Sequence, residues 1–388
     1  MSRSAVDRPP LHALTGLRFL AALYVVAFHQ RFGLVTRPGA LHNVVDHGYV
    51  AVPLFFILSG FVLTYVYIDA GGDFRATHRS FYLARLARIY PVYLLAFVLC
   101  TPIVLREAPP RTVLAPALSA LSLTQSWTPF DAWNRPSWSL STEAFFYLAF
   151  PFVAVPLCRL RRRGLVIAAL ALWLLGVIPV LAYYALGLSD QWLEVVKHNP
   201  VLRLPEFLIG VAVGKLFLDR RAAGRAAGAW RDGLCVLIAL VGIAAAVSFS
   251  SSTRAEEEGV LLHNGALDPL CGLLIYGLAG GRGIVARVLS LRAMTLLGEA
   301  SYGIYILQAP IADFCKAAVA LLVAGRVQAD VPLLETPTFV VGYAVLLIGC
   351  ALVSLRWVET PARKAITRRW GRTARSLPPQ APTWASRR

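Results

Sequence analysis

Long apolar runs recur along the chain and are separated by short polar segments rich in arginine. A helix needs about 20 residues to cross a bilayer core, because every backbone N–H and C=O group must be bonded inside the segment. The pattern therefore predicts an all-α, polytopic integral membrane protein with about ten transmembrane helices. Their expected positions are 14–34, 49–68, 89–106, 138–158, 165–186, 201–219, 232–250, 260–279, 299–323 and 337–357.

Outside these runs the chain offers little room for further domains. A shorter apolar stretch at 113–126 is interrupted by Pro116, and we expect a re-entrant or interfacial helix there. We divide the chain into a cytoplasmic N-terminal tail (1–10), one membrane domain (11–365) and a basic cytoplasmic C-terminal tail (366–388).

The distribution of basic residues gives the orientation. Alternate connections that share a side with the N-terminus carry 25 Lys and Arg residues, whereas the opposite connections carry 6. Cytoplasmic loops of membrane proteins are enriched in these residues. We therefore expect both termini in the cytoplasm and a multi-pass protein of the plasma (inner) membrane.

Composition agrees with this class. The chain is 57% hydrophobic and only 15% charged, whereas soluble domains are about 45–50% apolar and about 25% charged. In a soluble protein the net charge of +17 would suggest nucleic-acid binding, but here most of it serves orientation. The basic tail, with Arg368 and Arg369, suits anionic membrane lipids. The six cysteines lie in or beside apolar runs without metal-binding spacing, so we predict no metal site.

The first predicted span carries two ionisable residues, Arg18 and His29. Eleven residues at 100° each leave an offset of about 20°, so both side chains share one face, about 16 Å apart along the axis. Ionisable groups inside a membrane are costly and mark functional sites by default. A cation and a titratable base at different depths suit a substrate that enters the membrane. A neutral histidine hydrogen-bonded between helices is the equally weighted alternative for His29.

Glu143 lies in the first turns of the fourth span, near the outer side and at the expected depth of His29. A carboxylate beside an imidazole fixes its tautomer and stabilises the imidazolium. The alternative is that Glu143 only caps the start of its helix.

Two further charged pairs lie at helix ends. Arg85 and Arg88, at i and i+3 of the third span, either extend to lipid phosphates or hold the phosphates of an anionic cofactor. Arg203 and Glu206, early in the sixth span, form either an ion pair between helices or part of a substrate site.

Seven ordered motifs resemble those of the acyltransferase family 3 membrane O-acyltransferases, over about residues 11 to 365. They are Arg-x10-His in the first span, PLFFILSGF, RLARIYPVY, PSWSLSTEAFFY, RLPEFLIGVAVG, SYGIYILQAPI and RWVETPARK. One departure is Gln308, where many members carry histidine. If that position binds the acceptor, the acceptor differs from that of the commoner sugar-modifying members.

The resemblance implies transfer of a short acyl group from cytoplasmic acyl-CoA to a hydroxyl of a sugar, a polysaccharide or a glycosylated metabolite such as a macrolide. By depth and chemistry we assign His29 as general base, Glu143 as its orienting carboxylate and Arg18 as the group that guides the pantetheine end or polarises the thioester. Direct transfer and an acyl-histidine intermediate both remain open. The other assignments are Arg85, Arg88, Ser59 and Gly60 to acyl-CoA binding, and Arg203, Glu206, Tyr302 and Gln308 to substrate binding.

Two other functions are compatible with buried charges in ten helices. A proton-coupled transporter or flippase would use Arg18, His29 and Glu143 as a proton relay or anion path. The sequence lacks the inverted repeats and paired broken helices typical of that class. A lipid-sensing scaffold is the third alternative, and it leaves the three buried charges unexplained.

Overall fold

The protein is built from helices throughout the part of the chain that can be described. The computed structural model describes residues 8–30, 40–109, 111–128, 133–224, 228–250, 255–324 and 336–370. Apart from one isolated bridge between Ile68 and Phe74, we find no β-structure in these ranges. The α-helices are α1 His12–His29, α2 Ala40–Asp46, α3 Ala51–Tyr67, α4 His78–Glu107, α5 Leu114–Leu121, α6 Trp138–Cys158, α7 Arg162–Leu186, α8 Asp190–His198, α9 Pro200–Ala222, α10 Ala229–Ser250, α11 Ala255–His263, α12 Asp268–Ala279, α13 Ile284–Leu289, α14 Arg292–Ala324, α15 Pro337–Ser354 and α16 Thr360–Trp370.

Eight helical segments among the described residues are long and apolar enough to cross a membrane. They correspond to eight of the ten predicted spans, and the predicted class of an all-α polytopic membrane protein is confirmed. The predicted tails at 1–7 and 371–388, and the end of the first span at 31–34, lie outside the described residues.

The other two predicted spans differ from the eight in composition or continuity. Helix α9 has 23 residues, which is long enough, but it carries several charged residues and is surrounded by α3, α6 and α7. The span expected at 260–279 is interrupted, because α11 ends at His263 and α12 starts at Asp268. At this break the Asn264 side chain donates a hydrogen bond of 2.6 Å to the Val196 carbonyl of α8. The apolar run predicted one continuous helix. The structure has two helices, and this polar contact with α8 stabilises the turn between them.

Two local predictions concern the third span and the stretch that follows it. Helix α5 has eight residues, so the stretch at 113–126 is too short to span, as expected. Helix α4 is longer than predicted and begins at His78, where the Thr77 side chain accepts a hydrogen bond from the Ser80 N–H. Consequently Arg85 and Arg88 lie two to three turns inside a continuous helix and not at its first turn.

The central packing contact joins α3 and α9 at glycine positions. A Cβ atom on Gly60 would lie 2.0 Å from the Phe207 carbonyl oxygen, and one on Gly210 would lie 2.0 Å from that of Ile57. Small residues allow helix backbones to approach this closely in membranes. Gly60 was predicted to contact the cofactor; in the structure its open side packs against the α9 backbone at Phe207.

We predict that Gly60→Val destabilises the protein by about 3 kcal/mol or more, because the new side chain must push two backbones apart. The measurement is the unfolding midpoint of the detergent-solubilised protein. The matched control is Gly342→Val in α15, where a Cβ meets nothing within 4 Å. Equal midpoints for the two variants would contradict the close packing.

A second close contact joins α1 and α14. A Cβ atom on Gly298 would lie 1.9 Å from the Thr15 carbonyl oxygen. One helical turn further along each helix stand Arg18 and Ser301. This contact therefore brings the first predicted catalytic helix against the SYGIYILQAPI motif.

Candidate active site

A cavity of about 140 Å³ lies between α1, α3, α4, α6 and α14. Its wall combines charged, hydroxyl-bearing and apolar side chains. Along α3 it extends from Val52 to Leu63, which is about 16 Å at 1.5 Å per residue. The polar lining residues are Arg18, Ser59, Arg85, Arg88, Ser139, Glu143, Tyr147, Ser301, Tyr302 and Tyr305.

Arg18 is the α1 residue on this wall, and it is half-buried. It makes no hydrogen bond or ion pair with any residue in the described ranges, although the negative charge of Glu143 attracts it across the cavity. Buried polar groups are nearly always partnered. A guanidinium left in this condition is suited to an anionic or carbonyl oxygen of a ligand.

Arg85 stands at the end of the cavity where α3 finishes. It is buried, donates a hydrogen bond of 3.2 Å to the Tyr67 hydroxyl, and lies over the rings of Tyr67 and Tyr147 at 5.5 and 5.9 Å. These aromatic contacts hold the guanidinium inside the protein. Extension to lipid phosphates, one of the two alternatives for Arg85, does not fit this burial.

Arg88 has a strong protein partner that the sequence did not reveal. Its guanidinium forms an ion pair with Glu359, whose side chain is 1% exposed, and lies 5.9 Å over the Tyr302 ring. Glu359 ends a π-helical turn, Leu355–Glu359, between α15 and α16. Such turns often occur at functional sites. Arg88 thus lines the cavity with its charge already balanced.

Glu143 lies on the cavity wall opposite Arg18. Its carboxylate accepts hydrogen bonds from the Ser59 hydroxyl, at 3.0 Å, and from the Tyr147 hydroxyl one turn along α6. The expected pairing with His29 is not seen, because the hydrogen bonds of the carboxylate come from these two hydroxyls and His29 does not line the cavity. Ser59, which was predicted to bind the cofactor, lines the cavity and donates a hydrogen bond from its hydroxyl to Glu143.

His29 is the last residue of α1, and its side chain is exposed. Because α1 is unbroken, His29 and Arg18 share one face at the predicted separation of about 16 Å. The imidazole Nδ1 donates to the Val25 carbonyl at 3.0 Å; since a carbonyl only accepts, Nδ1 carries the proton and the basic lone pair is on Nε2. The tautomer that Glu143 was expected to fix is therefore set by the helix backbone. His29 is not on the cavity wall.

Arg203 and Glu206 form a buried ion pair of 3.1 Å, away from the cavity. Arg203 also donates to the His263 carbonyl at 2.7 Å, and its guanidinium lies 5.5 Å over Phe56, a ring of the cavity wall. Asp268 is completely buried nearby. Both residues lie on α9, so the ion pair forms within one helix and not between helices. Neither side chain lines the cavity.

The two substrate-binding residues predicted on α14 differ in position. Tyr302 lines the cavity and donates a hydrogen bond of 2.6 Å to the Ile89 carbonyl. Gln308 is fully buried, donates to the Tyr305 carbonyl at 2.8 Å, and accepts from Tyr343 through its own backbone carbonyl at 2.8 Å. Gln308 is therefore a packing residue between α14 and α15 and does not contact the cavity.

Sequence reasoning missed Tyr147 and Ser301 at this site, and it missed the pairing of Glu359, a residue of the RWVETPARK motif, with Arg88. Tyr147 was detectable, because a residue four positions after Glu143 lies on the same helix face. Glu359 pairs with a residue far away in the chain, so local spacing carries no signal for it. Among the described residues, no group of three or more His, Cys, Asp or Glu is placed to hold a metal ion.

The fold and the site together define this protein as a helical membrane protein with an internal cavity lined by arginines. The chain belongs to the acyltransferase family whose model is described as an acyltransferase domain, which it matches over residues 11–355.

Several curated proteins are similar to this chain. It is 34% identical to acyltransferase MdmB of Streptomyces mycarofaciens over 52% of this chain and 56% of that protein. It is 28% identical to the putative peptidoglycan O-acetyltransferase YrhL of Bacillus subtilis, over 77% and 48% respectively. It is 22% identical to the peptidoglycan O-acetyltransferase OatA of Listeria monocytogenes, over 92% and 56%. The chain therefore spans about half the length of these relatives, and no solved structure matches it.

Proposed function

We propose that this protein is an O-acyltransferase of the plasma membrane that moves a short acyl group from acyl-CoA to a hydroxyl of a sugar, polysaccharide or glycosylated metabolite. The observation that carries the proposal is the elongated cavity with Arg18, Arg85 and Arg88 on its wall and one facing carboxylate, Glu143. Family membership and relatives described as O-acetyltransferases support the reaction class.

The donor lies along the cavity in this proposal. Arginine binds phosphate oxygens bidentately, so Arg85 and Arg18 hold the phosphates at the end near Leu63. The two charges exceed that of Glu143, whereas Arg88 is balanced by Glu359. A pantetheine arm extended along the 16 Å of cavity brings the thioester to the Val52 end, on the side where α1 ends at His29.

His29 acts as general base at that end. Its Nε2 removes the proton of the acceptor hydroxyl, the hydroxyl oxygen attacks the thioester carbonyl carbon, and the carbon–sulfur bond breaks. The proton on His29 then passes to the departing thiolate, so the products are an ester and coenzyme A. Glu143 opposes the charge of Arg18 while the donor is absent and is held in place by Ser59 and Tyr147.

The test is release of free coenzyme A from acetyl-CoA by the purified protein with a panel of hydroxyl acceptors. Acceptor-dependent release together with an acylated acceptor supports the proposal. Transport of the acceptor across a vesicle membrane with the donor intact would instead support the transporter.

We predict that His29→Ala lowers kcat by about 10²–10⁴-fold, the usual contribution of a general base. Free coenzyme A release measures this effect, and the unfolding midpoint shows that the variant is folded. His12→Ala, at the opposite end of α1, is the matched control and retains parental turnover. Equal rates for the two variants would remove His29 from the mechanism.

A further inference from the structure

Six hydroxyl groups line the cavity, and five of them have partners in the protein. Ser59 and Tyr147 donate to Glu143, Tyr302 donates to a backbone carbonyl, and Ser139 and Tyr305 bond to each other at 2.7 Å. The sixth is Ser301, which is 1% exposed, and its hydroxyl has no partner within the described residues.

The missing partner of Ser301 is unusual for its position in a helix. Helical Ser and Thr side chains commonly bond to the carbonyl one turn earlier, as Thr295 does with Leu291 in the same helix. Ser301 makes no such bond. A buried hydroxyl without a partner costs free energy, so a group that completes its hydrogen bond on binding gains affinity.

Ser301 has a neighbour in the same condition. Arg18 and Ser301 each follow the Thr15–Gly298 backbone contact by one helical turn, and both line the cavity. Arg18 likewise makes no hydrogen bond or ion pair with the described part of the chain. A guanidinium and a hydroxyl, both donors and both without an acceptor in the described ranges, therefore stand on adjoining helices beside one cavity.

We propose that Ser301 and Arg18 form a subsite for a phosphoryl oxygen of the acyl-CoA pyrophosphate. This inference rests on the proposed function, and it adds a donor-binding residue that neither charge nor periodicity indicated. The pyrophosphate is the preferred group because the net charge of the cavity, with Arg88 balanced by Glu359, is positive. Ser301 supplies a neutral hydrogen bond to a charged oxygen, and Arg18 supplies the opposite charge.

The experiment is calorimetric titration of the full-length, detergent-solubilised protein with coenzyme A and with dephospho-coenzyme A, which keeps the pyrophosphate. Ser301→Ala is expected to weaken both affinities by about tenfold to a hundredfold, the range for a hydrogen bond to a charged group. The unfolding midpoint is expected to stay constant or rise, since the variant removes a buried hydroxyl that no described residue partners.

Ser354→Ala is the matched control, because Ser354 is also buried with no partner among the described residues but lies away from the cavity. It is expected to bind both ligands as the parent does. Equal affinities for Ser301→Ala and the parent would overturn the subsite. A loss seen with coenzyme A but not with dephospho-coenzyme A would also overturn it, because Ser301 would then contact the 3′-phosphate. The parent and the variants could bind coenzyme A as expected while the parent releases no coenzyme A from acetyl-CoA. That result would refute the proposed function and leave the subsite in place.

Discussion

Arg18→Ala is expected to lower kcat/KM for acetyl-CoA by about 10²–10³-fold, the scale seen when one well-placed donor is removed from an active site. The guanidinium lies in a membrane cavity, where the low dielectric strengthens its attraction for phosphate. Without it, Glu143 opposes the donor with less compensating charge. Arg18→Lys is expected to recover part of the loss, because it keeps the charge but not the bidentate geometry.

The measurement is the initial rate of coenzyme A release as a function of acetyl-CoA concentration. Arg287→Ala, which removes an exposed guanidinium from α13, is the control and should match the parent. Parental kinetics in Arg18→Ala would show that this arginine takes no part in using the donor, and the elongated cavity would then need another ligand.

Arg88→Met and Glu359→Met are each expected to destabilise the protein by about 3–5 kcal/mol, because each leaves the other charge buried and uncompensated. The double variant is expected to be less destabilised than the two single variants added together. The ion pair joins α4 to the π-helical turn after α15, so its loss also separates two elements of the cavity wall.

Equilibrium unfolding in mixed micelles gives the four free energies of this cycle. Arg159→Met is the control, because Arg159 pairs with Asp73 at 2.7 Å with both side chains about 60% exposed, and such pairs contribute less than about 1 kcal/mol. Additive losses in the double variant would show that Arg88 and Glu359 do not stabilise each other. Arg88 would then be available to bind the donor.

The distinction between a binding charge and a structural charge separates what sequence reasoning achieved from what it missed. Arg18 was selected because charges are costly inside a membrane, Glu143 because it was expected near His29, and Arg85 and Arg88 because paired arginines at a helix end suit phosphate. All four line one cavity. Arg203 and Glu206 were selected as another charged pair at a helix end, and they neutralise each other in the protein interior. Cost alone identifies a buried charge, but it does not say whether a ligand or a neighbouring helix compensates for it.

The structure places Gly60 and Gln308, two other predicted site residues, in packing contacts away from the cavity wall. A small residue in a span allows close approach of either a ligand or another helix. For Gly60 the structure shows a helix, because the Phe207 carbonyl of α9 lies against it. Gln308 was assigned to the acceptor only through the family resemblance, and its amide donates to the Tyr305 carbonyl on its own helix. The neighbour of Gly60 is remote in the chain, so local spacing does not reveal it.

The sequence by itself determined the helical membrane class, the unbroken first helix with Arg18 and His29 on one face, and the residue types able to bind an anionic donor. These follow from rules that act within one segment: backbone hydrogen bonding in a bilayer, helical periodicity and the cost of buried charge. Only the tertiary structure decided that Glu143 faces Arg18, that Glu359 balances Arg88, and that Ser301 lacks a partner among the described residues. Each of these depends on how helices distant in the chain pack, which no single segment encodes.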